Sequence, residues 1–137
     1  MKLIFFACLV SVASTLKAES DFANIKVTAD FPGGSAVVKA VDKNTGVIQI
    51  SPRVQSKRGW PCWWYCKVDG AKKGQLITFQ LTANTGAYKR GRVLSADWSQ
   101  PDRAAISIDN VVWTQTEKCA KQDGVAVYTI EAPAKSF

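Results

Sequence analysis

The sequence contains no histidine among its 137 residues. That absence removes the Ser-His-Asp triad, the Cys-His dyad and every imidazole-ligated zinc centre from the chemistry open to this chain. Outside residues 3–13 there is no long apolar run. Nothing else therefore approaches the roughly 20 apolar residues that cross a bilayer. No stretch repeats apolar residues at helical spacing over three turns, so long amphipathic helices are not expected. There is no low-complexity segment, long linker or internal repeat. Acidic residues number only 11, and they are dispersed among turns. Asp97, Asp102 and Asp109 are the closest grouping, and nothing around them marks a raised pKa. A solvated loop role is expected for all three rather than acid–base catalysis.

The chain starts with one lysine, Lys2, then Leu3-Ile4-Phe5-Phe6-Ala7-Cys8-Leu9-Val10, then small residues. One charge, an apolar run of about ten residues and a small-residue exit make a secretory leader. Residues 1–18 are assigned to it, with cleavage after Ala18 or after Ala13. Cys8 is a poor lipidation site, because the apolar segment before it is too short. Residues 19–137 then form one domain, long enough for a real core. The expected location is secreted or periplasmic, with no membrane contact once the leader is removed.

Lys and Arg number 18, giving a formal charge of +7 that falls by two when Lys2 and Lys17 leave with the leader. Lys57-Arg58, Lys72-Lys73 and Lys89-Arg90 are small clusters in three loops. Gathered at one end they would attract an acidic partner, but ordinary solvated charge is the preferred explanation. No nucleic-acid-binding motif accompanies them, so nucleic acid is not expected as a partner.

What the sequence does have is Trp60-Pro61-Cys62-Trp63-Trp64-Tyr65-Cys66-Lys67-Val68, with three of the five tryptophans. Bulky aromatic and β-branched residues in so short a run read as a strand. Alternation places Cys62, Trp64, Cys66 and Val68 on one face and Trp63, Tyr65 and Lys67 on the other. Asp69-Gly70 ends it in a turn. Other strands are expected at 25–29, 36–41, 47–51, 76–82, 104–108, 111–113 and 125–130. Asp42-Lys43-Asn44-Thr45-Gly46 forms a hairpin turn among them. About eight or nine short strands at such spacing predict an all-β, single antiparallel β-sandwich.

With the leader gone, three cysteines remain. In an extended strand Cys62 and Cys66 lie about 13 Å apart, too far for a bridge needing Cα atoms within about 7 Å. Cys119 is expected to pair with Cys66 or Cys62 in an oxidising compartment. Three cysteines without histidine make a poor zinc site, so neither metal nor cofactor is expected.

Several of these segments together resemble a known family. Asp30-Phe31-Pro32-Gly33-Gly34-Ser35 is followed by Gly59-Trp60, then by Trp63-Trp64-Tyr65-Cys66-Lys67-Val68, then by Ser107-Ile108-Asp109-Asn110-Val111-Val112-Trp113. This order is similar to the N-terminal β-sandwich domain of secreted bacterial and cytosolic-type zinc metallocarboxypeptidases, over about residues 22–133. Cys66 stands where an aromatic is usual, Ser35 where Asn is common and Asn110 where Gly is common. The resemblance implies that the zinc ligands and catalytic glutamate belong to a following domain with a His-x-x-Glu motif. No position here matches them. The chain is thus expected to be a non-catalytic accessory domain, free-standing or cut short before a peptidase domain. Its partners would be that catalytic domain or a polypeptide or acidic ligand. The contact residues would be Trp60, Trp63, Tyr65, Trp98 and Trp113. A carbohydrate-binding module stacking sugars on Trp60, Trp63, Trp98 or Trp113 is the alternative, and a small secreted inhibitor a third reading. Coplanar exposed tryptophans would favour the sugar platform.

Overall fold

A computed structural model describes residues 21–53, 61–88 and 91–137. The expected leader lies outside the described residues, as do Trp60, Lys57-Arg58 and Lys89-Arg90. Among the described residues the chain is nearly all β, with eleven strands and one short 3-10 turn at Ala96–Trp98. The strands are β1 (Lys26–Thr28), β2 (Ala36–Asp42), β3 (Val47–Pro52), β4 (Lys67–Asp69), β5 (Leu76–Thr82), β6 (Ala87–Tyr88), β7 (Arg92–Val93), β8 (Ala105–Ile106), β9 (Thr114–Gln115), β10 (Ala120–Gln122) and β11 (Val125–Glu131). The count exceeds the expected eight or nine because short ribbons replace some of the predicted longer strands.

Five strands form one sheet in the order β10-β11-β5-β3-β2, and β1-β4, β6-β7 and β8-β9 are two-stranded. One expectation needs correction here. β3 and β5 run parallel, Val47 opposite Thr78 through Ile50 opposite Leu81, so the sheet is not purely antiparallel. The intervening β4 leaves to pair with β1, Val68 opposite Val27. A chain that makes that excursion returns to the sheet in the same direction as β3.

Period-two patterning sets the core. Ile77, Phe79 and Leu81 of β5, Ile48 and Ile50 of β3, and Ala126, Tyr128 and Ile130 of β11 are all buried. Register aligns them in rows: Phe79 faces both Tyr128 and Ile48, and Leu81 faces both Ala126 and Ile50. The opposite face is polar, and there Gln49 Nε2 donates to Gln80 Oε1 at 3.2 Å. Ile25, Val68, Ala71 and Ala104 complete the core, with Trp64 and Cys66 packed against it. The hairpin turn between β2 and β3 forms as read. Asp42 Oδ1 accepts the Asn44 N–H, and Asp42 Oδ2 accepts the Thr45 hydroxyl, each at 2.8 Å.

Two predicted strands do not form. The tryptophan segment begins as a turn at Pro61-Cys62 and is irregular over 63–66, and strand pairing starts only at Lys67. Pro61 has no N–H to place in a ladder, and only Tyr65 exchanges backbone bonds with a neighbour, Ser35. Val111 and Val112 lie in a bend, and Trp113 follows it outside any strand. The Asp109 carboxylate takes the N–H groups of Val111 and Val112 that a ladder would need.

A cleft walled by aromatic rings

The face alternation expected around Trp64 holds although the strand does not. Cys62 and Val68 are buried and Trp64 and Cys66 lean on the core, while Trp63 and Lys67 point outward. Trp64 Nε1 donates to the Ser99 carbonyl at 3.0 Å, and its ring lies 5.6 Å from that of Tyr128. The Tyr128 hydroxyl donates to the Pro101 carbonyl at 2.6 Å. Burial raises the Tyr128 phenol well above its ordinary range, so it stays protonated as a donor.

Between this segment and residues 98–113 opens a cleft of about 1000 Å³. Buried Phe79 and Ile130 reach it from the sheet, and Phe31, Trp63, Trp98 and Trp113 line it nearer the surface. Tyr65 is the hub of the wall. Its ring centre lies 5.1 Å from Phe31, 6.5 Å from Trp63 and 6.0 Å from Trp113. Its hydroxyl donates to Asn110 Oδ1 at 2.6 Å. Asn110 has φ 58°, the left-handed region that asparagine tolerates better than most residues. The conformational demand explains why Asn can stand where Gly is common.

Trp63, Trp98 and Trp113 are 40%, 47% and 46% exposed. Their surroundings do not make a flat platform. Trp63 is inclined 33° to Tyr65, and Tyr65 62° to Trp113. The rings of Trp63 and Trp113 are thus not coplanar with Tyr65 between them.

The charges at the rim are engaged. Lys67 pairs with Asp69 at 3.1 Å. Arg103 donates to the Thr116 carbonyl at 2.8 Å and lies 3.7 Å from Glu117. Of the three grouped acids, Asp97 and Asp102 share Lys121, at 3.7 and 3.3 Å, and Asp102 also pairs with Lys118. Asp109 is apart in its own turn. Lys118 lowers the Asp102 pKa, and the N–H groups of Val112 and Val111 lower that of Asp109. Both carboxyls are held below the usual carboxylate range, the wrong direction for a general acid at neutral pH. Among the described residues no group of three or more His, Cys, Asp or Glu is placed to hold a metal ion. Of the basic clusters, Lys72 is paired with Asp21.

The expected bridge is corrected: Cys62, Cys66 and Cys119 are all free thiols. The Cys119 N–H donates to the Asp102 carbonyl at 2.8 Å, and its thiol is directed at the Pro101 carbonyl. Burial pushes the Cys66 thiol up to about 12, so little thiolate exists to attack a disulfide. Denatured without reductant and with residues 1–18 removed, the protein is expected to titrate three thiols. A count of one would show that a bridge forms in solution.

Of the contact residues expected from sequence, Trp63, Tyr65, Trp98 and Trp113 line this one cleft, and Trp60 lies outside the described residues. Sequence reasoning missed Ile108, Val111 and Val112 as exposed residues, although Ser107, Asp109 and Asn110 beside them are turn formers.

With this geometry described, comparison with known proteins becomes informative. The family model described as the cytosolic carboxypeptidase N-terminal domain matches residues 27–137. The chain belongs to that family. No curated protein matches it. Among solved structures, the metallo-carboxypeptidase from Burkholderia cenocepacia is similar at TM-score 0.62 and 18% identity, over 82% of this chain and 27% of that one. A protein assigned as a carboxypeptidase from Burkholderia mallei ATCC 23344 gives 0.63 and 21%, with the same coverage of 82% and 27%. At these identities the likeness is one of fold. This carboxypeptidase N-terminal domain thus spans 27% of the length of the solved proteins it matches.

Proposed function

We propose that this chain is a non-catalytic accessory domain that packs against a zinc metallocarboxypeptidase catalytic domain or guides polypeptide to it. The observation that carries the reading is the aromatic cleft. Three tryptophans, Trp63, Trp98 and Trp113, are left about half exposed around it. Apolar surface of that kind, rimmed by ion pairs, is characteristic of interaction sites. The cleft is large enough to take several side chains of a bound polypeptide. Zinc is the metal of the resembled enzymes, but the residues here do not fit it: the chain has no histidine. The five-stranded sheet faced by the β1–β4 ribbon is read as the two layers of a β-sandwich. Export by residues 1–18 completes the proposal, supported by the single lysine and apolar run that begin the chain.

Purified alone, the protein is expected to release no C-terminal amino acid from peptides, with or without added zinc. Zinc-dependent release above a protein-free blank would overturn the non-catalytic reading.

A further inference from the structure

The aromatic cleft is apolar in its depth. Its inner end reaches the buried side chains of Val68, Phe79 and Ile130. The polar groups near that end are already bonded within the protein. Trp64 Nε1 donates to the Ser99 carbonyl, the Tyr128 hydroxyl to the Pro101 carbonyl, and the Tyr65 hydroxyl to Asn110. Among the described residues, Ser35 Oγ is the buried side-chain oxygen or nitrogen without a partner, and Ser35 does not line the cleft. A ligand atom that needs a hydrogen bond therefore gains none in the depth of the cleft and loses its water. A hydrocarbon body has no such cost and leaves water favourably.

The charged side chains of its lining are of one sign. Lys67 and Arg103 line the cleft, and among the described residues no aspartate or glutamate does. Their partners Asp69 and Glu117 stand outside it. Glu117 is 95% exposed and 3.7 Å from Arg103, a solvated pair of the weak kind. An ammonium and a guanidinium each carry several N–H donors. The contacts to Asp69, Thr116 and Glu117 leave others for a further acceptor. An apolar interior under a basic mouth is complementary to an anion with a hydrocarbon tail. The volume, about 1000 Å³, is that of a roomy small-molecule site.

We infer that the cleft is a binding site for a free long-chain carboxylate. The hydrocarbon chain lies among Val68, Phe79 and Ile130, and the carboxylate stays at the mouth, where Lys67 and Arg103 stand. The inference shares the cleft with the accessory-domain reading but does not depend on it. A bound carboxylate and a polypeptide side chain would compete for the same rings, so the ligand would regulate whatever else the cleft takes.

Calorimetric titration of the purified protein with sodium dodecanoate, below its micelle concentration, tests the site. Saturable binding is expected, with dodecanol and dodecyltrimethylammonium about tenfold weaker. Decanoate, which has a shorter chain to bury, should also bind about tenfold more weakly than dodecanoate. Lys67→Gln and Arg103→Gln should each weaken dodecanoate about threefold and leave dodecanol unchanged. In the unaltered protein the indole N–H resonances of Trp63 and Trp113 should shift during the titration, which locates the ligand without any substitution. No saturable binding of dodecanoate would overturn the inference. So would equal affinity for the alcohol or the cation, equal affinity for decanoate, full dodecanoate affinity in both variants, or unmoved indole resonances. None of these results bears on whether a peptidase is retained, so the accessory-domain reading stands or falls separately.

Discussion

Replacing Trp64 by alanine is expected to destabilise the protein by about 3–5 kcal/mol, the range for large aromatics lost from a core. Three contacts disappear together. The indole packs on the core beside Cys66, stacks obliquely against Tyr128 at 5.6 Å, and donates to the Ser99 carbonyl. Ser99 is itself fully buried, so its carbonyl would lose a partner where water reaches poorly. Domains of this size are stable by roughly 5–15 kcal/mol, and the loss is a large share of that. Trp64→Phe keeps a ring and removes the N–H, so it should cost less, about 1–3 kcal/mol. Chemical denaturation of both variants measures the two contributions. An unchanged midpoint for Trp64→Ala would show that the indole faces solvent and that the core is built without it.

Gly70→Ala is expected to cost about 3 kcal/mol, from a strained backbone and a steric overlap acting together. Gly70 closes β4 at φ 81°, and a Cβ there would overlap the Asn24 carbonyl. Asn24 cannot withdraw cheaply. It precedes Ile25, a fully buried core residue whose N–H bonds the Phe22 carbonyl, and β1, which pairs Lys26 with Asp69. Gly33 is the control. Its φ is 90°, but a Cβ would meet nothing within 4 Å. Gly33→Ala should therefore show the conformational cost alone, about 1–2 kcal/mol. Equal losses in urea unfolding of the two variants would mean that β1 does not lie against Gly70.

These two sites illustrate what was legible in the sequence. Alternation along β5 and β11 predicts which residues are buried, and Asp42 to Gly46 announces its hairpin through turn chemistry. Trp64 packs on the core and Val68 is buried in it even though, within 61–66, only Tyr65 exchanges backbone bonds with a neighbour. The parallel β3–β5 pair was not legible. Periodicity identifies strands but not their neighbours, and β4 pairs with β1 instead of extending the sheet. Val111-Val112-Trp113 misled for a different reason. Its composition is that of a strand, yet the carboxylate two residues earlier captures its amides, a local competition that composition does not report. The cysteine pairing failed because three thiols count as a disulfide framework only if the fold brings two together. Here the Cys119 backbone and thiol are both committed to residues 101–102.

The aromatic cleft is the meeting point of these results. Trp64 anchors its inner side, Tyr65 couples its wall to Asn110, and the exposed Trp63, Trp98 and Trp113 line it nearer the surface. The most direct measurement is retention of peptidase activity from an extract of the native cells on the immobilised protein. The account predicts a retained carboxypeptidase activity that a zinc chelator abolishes, and its loss from a Trp63→Ala, Trp98→Ala double variant of unchanged melting midpoint. Equal retention by the double variant, or no chelator-sensitive activity on the unaltered domain, would contradict it.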